Sequence, residues 1–186
     1  MAKDLDQMTT DELGKLFPII IADYNPDWPK IFLIEKQHIS NILGNEVISS
    51  IEHIGSTSVP GLSAKPTIDI LLEIKKNTDL NLLINKLQSI SYQYIPKLEN
   101  PPPHMMFAKG YSTQGIKEQT FHIHARYSGD WDEIIFRDFL RENPKVAQDY
   151  ADLKRKLSIE FKHDRDKYTE SKTAFIRQVT LNARLK

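Results

Sequence analysis

The sequence contains no cysteine among its 186 residues. This absence excludes disulfide bonds, thiolate metal sites and a cysteine nucleophile, and it favours a reducing compartment, so we expect a cytoplasmic protein. No apolar stretch approaches the roughly 20 residues that a membrane helix requires, so no membrane partner is expected. The N-terminal segment MAKDLDQMTTDELGKLF is polar and carries both charges, unlike a secretory signal peptide.

The sequence also lacks an excess of charge of either sign. Its 25 basic residues balance 25 acidic residues, which gives a formal net charge of zero. Proteins dedicated to DNA or RNA usually carry a basic excess, so the balance argues against nucleic acid as a partner. The hydrophobic fraction of 40% and the charged fraction of 27% are ordinary for a globular chain of this length.

The hydrophobic pattern predicts strands mixed with helices, followed by a helical tail. The predicted strands cover residues 19–23, 47–54, 67–74, 92–96, 105–111 and 119–127. The predicted helices begin near Thr9 or Thr10, Asn25, Thr78 or Asp79, Asp130, Asn143 and Asp164. This order predicts an α+β fold. We divide the chain into an N-terminal extension (1–18), an α/β core (19–130) and a C-terminal helical segment packed on that core (131–186).

The segment HIGSTSVPGLSAKPTIDI, residues 53–70, carries the strongest chemical signal. A predicted strand ends in Gly55-Ser56, and a loop of small residues follows. Gly55 permits close approach of the backbone, while Ser56, Thr57 and the N–H groups around them offer donors to phosphate oxygens. Lys65 adds a point charge. The segment therefore has the outline of a polyphosphate site.

Three further side chains suggest a catalytic or metal-binding role. Asp69 supplies a hard oxygen ligand for Mg²⁺, which often enters such sites with substrate phosphates. His122 and His124 are spaced i, i+2, so on a strand both rings project from one face. Together with Asp69 they suit Mn²⁺, Zn²⁺ or Fe²⁺ better than Mg²⁺ alone. One histidine can instead act as a general base toward an acceptor hydroxyl, and the sequence leaves both roles open.

Several of these residues resemble the GrpB family, a branch of the nucleotidyltransferase-fold superfamily. The general pattern is an apolar residue, Gly-Ser, a spacer and an Asp-x-Asp/Glu strand, which Ile54-Gly55-Ser56 and Asp69 match in part. The runs FHIH at 121–124 and FRDFLR at 136–141 are similar to that family too, and the resemblance covers residues 20–183. It implies a nucleotidyltransferase-like mixed sheet flanked by helices.

The resemblance also implies an activity. We expect a divalent metal ion (Mg²⁺ or Mn²⁺), a nucleoside triphosphate as co-substrate, and transfer of its nucleotidyl group to an unknown small-molecule or protein acceptor. Asp69, His122 and His124 are the expected catalytic and metal-binding residues.

Charged residues of the helical tail allow two interpretations. In the simpler interpretation they form a solvent-exposed helix face with ion pairs between residues i and i+4. If the tail closes over the cleft, Arg137, Lys154 and Lys172 reach a triphosphate, and they are our candidate nucleotide-binding residues there.

The sequence departs from the superfamily pattern at one position. Leu71 stands where the second carboxylate is expected, and Glu73 lies about 6.6–7 Å further along the strand, too far to replace it. This departure supports an alternative, a non-catalytic folding-accessory or nucleotide-binding module that retains the fold. A metal-dependent hydrolase is a third interpretation, although the sequence contains neither an HExxH nor a Gly-x-Ser-x-Gly motif.

Overall fold

A computed structural model describes residues 3–96 and 103–185 of the chain. Its strands are β1 (Ile48–Ile54), β2 (Thr67–Ile74), β3 (Gln93–Ile95), β4 (Met105–Ser112) and β5 (Gly115–Tyr127). Its helices are α1 (Thr10–Leu16), α2 (Trp28–Leu43), α3 (Leu80–Ser89), α4 (Asp132–Glu142), α5 (Pro144–Glu160) and α6 (Arg165–Arg184). Within those two described ranges, no helix is long and apolar enough to cross a membrane.

The five strands form one mixed sheet in the order β1-β2-β5-β4-β3. β2 runs parallel to β5 and antiparallel to β1, while β4 pairs antiparallel with both β5 and β3. The register places Asp69 opposite His122 and Leu71 opposite His124. This mixed sheet with flanking helices confirms the predicted α+β class.

One face of the sheet carries the main core. The alternate residues Ile68, Ile70, Leu72 and Ile74 of β2 are fully buried in a cluster that includes side chains of α2 and α3. Burying each such aliphatic side chain contributes about 1.5–3 kcal/mol. Because successive side chains of a strand point to opposite faces, Asp69 lies on the other face of β2, away from this core.

The C-terminal helices pack against the loop that joins β1 to β2. Val59 and Leu62 of this loop share a buried cluster with side chains of α4, α5 and α6. The cluster members from the helices are Phe136, Leu140, Ala147, Tyr150, Ala151 and Val179. The helical tail therefore holds the loop that follows Gly55-Ser56, and it brings its own side chains to that end of β2.

Most of the predicted elements are confirmed. β2 occupies the predicted range 67–74, β4 and β5 form a hairpin that turns between the strands predicted at 105–111 and 119–127, and Asn143-Pro144 separates α4 from α5. The Asp79 side chain caps α3 by accepting from two backbone N–H groups.

The strand predicted at 19–23 is wrong. Only Ala22 makes a bridge, to Ala64, while the Ile19 N–H donates to the carbonyl of Lys162 instead. The helix predicted from Asn25 begins later, at Trp28.

Candidate functional site

The turn after β1 brings the backbone against Asp69. Gly55 has φ +70°, in the left-handed region that favours glycine, and a Cβ there would lie 2.5 Å from Asp69 Oδ2. Glycine at this position therefore serves the close backbone approach that the sequence predicts, and the group approached is the carboxylate of the next strand. Ser56 follows directly, so the turn and Asp69 border a common space.

Two other hydroxyls of the turn are engaged inside it. Thr57, only 1% exposed, donates from its hydroxyl to the Thr67 carbonyl at 3.1 Å and pairs with His53 Nε2 at 3.0 Å. The Ser58 hydroxyl donates to the Gly55 carbonyl at 2.5 Å. We predicted that Thr57 donates to phosphate. In the structure its hydroxyl is instead hydrogen-bonded inside the turn, where it has a structural role. Burial lowers the pKa of His53 to about 4, so this ring is neutral at pH 7.

The Ser56 side chain faces a different neighbour. Burial raises the pKa of the Tyr150 phenol, and a hydrogen bond with Ser56 partly opposes that rise. Tyr150 belongs to α5, so the helical tail reaches the turn that follows β1.

Asp69 and His122 lie side by side on neighbouring strands. Asp69 Oδ1 is 3.2 Å from His122 Nδ1 and 4.0 Å from His124 Nε2, so both histidines are on the predicted face. Burial by itself would raise the pKa of Asp69, but the hydrogen bond and charge of His122, helped by His124 and Lys65, hold it below the usual value. Burial lowers the pKa of His124. Asp69 is therefore ionised at neutral pH.

The second ring nitrogen of His122 has a partner that the sequence did not suggest. His122 Nε2 is 2.8 Å from the Tyr111 hydroxyl, and the two rings are stacked with centroids 5.8 Å apart. The side chains of Tyr111, His122 and Asp69 thus form a continuous hydrogen-bonded chain.

The expected metal ligands make contacts with other side chains. Both ring nitrogens of His122 are occupied, and Leu71, at the position of the missing carboxylate, is completely buried. In the part of the chain that the structure describes, no group of three or more His, Asp or Glu side chains is placed to hold a metal ion. The three expected metal ligands Asp69, His122 and His124 thus converge: His122 is hydrogen-bonded to Asp69, and His124 Nε2 lies 4.0 Å from Asp69 Oδ1. A metal-binding role for them stays a prediction.

Three lysines surround this group, and we call Lys65, Lys154 and Lys172 the lysine cluster. The Asp69 carboxylate interacts electrostatically with each of these lysines and acts to raise its pKa. Lys154 is 2% exposed and donates to the Ser63 carbonyl, while Lys172 lies 4.0 Å from the centre of the Tyr168 ring. The structure therefore brings together the three lysines that the sequence offered as candidates.

The environment of the lysine cluster disfavours its charge. Burial lowers the pKa of Lys154 to about 7, with further repulsion from Lys172 and Arg155. Burial also lowers the pKa of Lys65 to about 8, with Arg165 and Lys172 adding to the effect, and it lowers that of Lys172 to about 8. A bound anion would relieve this repulsion.

Arg137, the remaining candidate among the tail residues Arg137, Lys154 and Lys172, is not part of this group. Its guanidinium donates to Glu52 Oε2 at 2.9 Å, to the His53 carbonyl at 3.0 Å and to Asp138 at 2.7 Å. These bonds tie α4 to β1, so Arg137 holds the tail on the sheet.

Sequence reasoning missed Tyr111 and did not single out Arg165. The Arg165 guanidinium lies over the Tyr111 ring, 5.9 Å from its centre, and raises the local positive charge. One signal for Tyr111 was present, because an isolated glycine inside a strand pattern, here Gly110, often marks a bulge that re-aims a side chain.

Comparison with known proteins gives consistent matches over most of the chain. A family model described as GrpB protein matches residues 18–182. A UPF0157 protein of Halalkalibacterium halodurans is 32% identical over 97% of this chain and 91% of its own length. The glutamate-rich protein GrpB of Alkalihalophilus pseudofirmus is 30% identical over 87% of this chain and 93% of its own length.

A solved structure is similar as well. The crystal structure of the conserved protein GrpB from Enterococcus faecalis superposes with a TM-score of 0.75 at 34% identity. The match covers 88% of this chain and 96% of that one.

Proposed function

Since the chain belongs to the GrpB family, we propose that the space between the Gly55-Ser56 turn, Asp69 and the lysine cluster binds the phosphates of a nucleoside triphosphate. The Ser56 hydroxyl and the N–H groups of the turn donate to phosphate oxygens, and the lysine cluster supplies charge. Lys65 and Lys172 are partly exposed to solvent, whereas Lys154 is buried and contributes its charge from inside the protein.

The observation that carries this proposal is an imbalance of charge. Within residues 3–96 and 103–185, none of Lys65, Lys154, Lys172 and Arg165 forms an ion pair with a carboxylate, although Asp69 lies close by. Buried cations are normally paired, because an isolated charge loses its hydration on burial. Four cations next to one carboxylate, in a chain of zero net charge, favour a polyanionic ligand.

The reaction that we propose is transfer of the nucleotidyl group to an acceptor hydroxyl. His122 is suited to take the proton of that hydroxyl when the acceptor replaces the Tyr111 hydroxyl at Nε2, because the ionised Asp69 orients the ring from Nδ1 and stabilises its cationic form. The divalent ion that the family resemblance implies would enter with the phosphates of the nucleotide substrate. The acceptor has a hydroxyl group, which a small molecule or a protein can provide.

A second candidate, nucleotide binding without transfer, is favoured by one observation. Leu71 is completely buried where a second carboxylate would assist catalysis. Under this alternative the same phosphate contacts form, and no pyrophosphate is released.

Pyrophosphate release separates the two candidates. The full chain is incubated with Mg²⁺, each of the four ribonucleoside triphosphates and a heat-treated cell extract as the source of acceptor hydroxyls, and pyrophosphate is measured for the wild type and for Asp69→Asn. We expect release by the wild type and a loss of about 100-fold or more in the variant, because His122 loses the carboxylate that orients it. Glu73→Gln is the matched control on the same strand face.

Binding of a nucleotide without release supports the second candidate. Release that Asp69→Asn leaves unchanged contradicts the proposed transfer.

A further inference from the structure

The hydroxyl closest to the proposed base belongs to the protein itself. The Tyr111 hydroxyl is 2.8 Å from His122 Nε2, and His122 Nδ1 is 3.2 Å from Asp69 Oδ1. The sequence patterns that predict the site do not include Tyr111, and the proposed function leaves its hydroxyl without a role.

A break in the pairing of β4 with β5 directs Tyr111 to this face. Lys109 lies on the core face of the sheet, where it pairs with the buried Glu35 at 2.8 Å. Regular alternation would return Tyr111 to that same face. The pairing of β4 with β5 shifts register between Lys109 and Tyr111, and the residue between them, Gly110, has φ +92°. Gly110 thus lies opposite four residues of β5, 117–120. At this break in the pairing Tyr111 turns to the opposite face, where it meets His122.

Two further contacts fix the Tyr111 ring. Phe17, which follows α1, packs edge-on against it with ring centroids 5.1 Å apart. The Arg165 guanidinium lies over the ring at 5.9 Å, which places a cation beside the phenol. Tyr111 remains half-buried, so its hydroxyl is held in place at the border of the lysine cluster without being sealed off.

The proton positions follow from the partners. A carboxylate can only accept, so in the form of His122 that can act as a base the proton is on Nδ1 and is donated to Asp69. His122 Nε2 then has a free lone pair and accepts from the Tyr111 hydroxyl. This is the arrangement of a nucleophile, a base and an orienting carboxylate.

We propose that Tyr111 is a site of covalent self-modification, which accepts a nucleotidyl group from a bound nucleoside triphosphate. This inference rests on the proposed function, because the triphosphate must first bind beside Asp69. The Tyr111 oxygen attacks the α-phosphorus, and a phosphodiester bond forms there. The bond from the α-phosphorus to the bridging oxygen breaks, and pyrophosphate leaves with the electron pair. The phenol proton passes to His122 Nε2, and Asp69 stabilises the resulting imidazolium.

Intact-protein mass spectrometry tests this directly. The full chain is incubated with Mg²⁺ and each of the four ribonucleoside triphosphates, and digestion then locates any adduct. We expect at most one nucleotidyl group per chain, on the peptide that contains Tyr111. Tyr111→Phe should abolish the adduct while retaining nucleotide binding, since only the hydroxyl is removed. Tyr94→Phe, on β3 of the same sheet, is the matched control and should keep full labelling.

The outcomes separate this inference from the proposed function. An adduct on another residue, or labelling that persists in Tyr111→Phe, overturns the assignment of Tyr111. Nucleotide binding with pyrophosphate release but no adduct also overturns it and leaves the proposed function intact. Absence of nucleotide binding overturns both. Peptide mapping of the wild type gives the answer even if Tyr111→Phe folds poorly.

Discussion

At the scale of single residues, the site depends on a few positions where backbone geometry and chemistry meet. Gly55 combines a positive φ with a close approach to Asp69, so it sets both the path of the turn and the place of the carboxylate. The identities of Gly55, Ser56, Asp69 and the two histidines could be predicted because their types and spacing are visible in the sequence. The role of Thr57 could not, because its hydroxyl is satisfied by contacts that exist only in the folded loop.

Substitution of Gly55 tests the residue scale. In Gly55→Ala the new Cβ would stand 2.5 Å from Asp69 Oδ2 on a backbone with φ +70°. We expect a loss of about 1–3 kcal/mol in the free energy of unfolding from the backbone strain, with a further loss from the displaced carboxylate. Urea denaturation measures both.

Gly61→Ala in the same loop is the control for strain alone. Gly61 has φ +76°, and nothing lies within 4 Å of the position of its Cβ. Equal destabilisation by the two substitutions would mean that the contact between Gly55 and Asp69 carries no energy.

At the scale of elements, the strands and helices with a clear period were predictable, and their placement was not. The strand-like sequence of residues 67–74 and the capping residue of α3 are local signals, and the structure has a strand and a capped helix at these positions. The short apolar run at 19–23 has the composition of a strand, yet within it only Ala22 forms a β-bridge, an isolated one to Ala64. The break in the pairing at Gly110 has a local signal, but its consequence, that Tyr111 meets His122, depends on the register between β4 and β5.

The helical tail illustrates the same limit. Charges on α4, α5 and α6 have similar sequence surroundings, and only packing decides their roles. Arg137 is bound to Glu52 and Asp138, whereas Lys154 and Lys172 lie without carboxylate partners among the described residues, near Asp69. Sequence alone offered the three as equal candidates.

At the scale of the whole molecule, a chain of zero net charge places Lys65, Lys154 and Lys172 together, without a carboxylate ion-pair partner in the ranges that the structure describes. This arrangement costs stability when no anion is present, because the folded protein must bury lysines whose charge it disfavours. The same lysines then stabilise a bound anion. Stability of the empty protein and affinity for the ligand are therefore expected to depend on pH in opposite directions.

Lys154 sets the pH range of this prediction. Its pKa in the folded protein is about 7, below its usual value, because of burial and of the charges of Lys172 and Arg155, which Asp69 only partly offsets. Between pH 7 and pH 9 the unfolded chain therefore binds more protons, so the free energy of unfolding of the empty protein should rise with pH. Affinity for a triphosphate should fall over the same range, because Lys154, Lys65 and Lys172 lose charge.

Thermal unfolding with and without tripolyphosphate measures both trends. In Lys154→Met the rise in stability of the empty protein should flatten. Lys156→Met, an exposed position on the same helix, should retain it. A stability of the wild type that falls between pH 7 and pH 9 would contradict the assigned environment of these lysines.

The most direct test of the central claim is calorimetric titration of the full chain with a nucleoside triphosphate and Mg²⁺, comparing the wild type with Lys172→Met and Arg177→Met. Arg177 is exposed on the same helix as Lys172. Loss of one charge-assisted phosphate contact costs about 1.5–3 kcal/mol, so Lys172→Met should bind roughly 10- to 100-fold more weakly. Arg177→Met should bind like the wild type. Equal affinity of all three proteins, or no binding by the wild type, would contradict the claim that the lysine cluster forms a phosphate site.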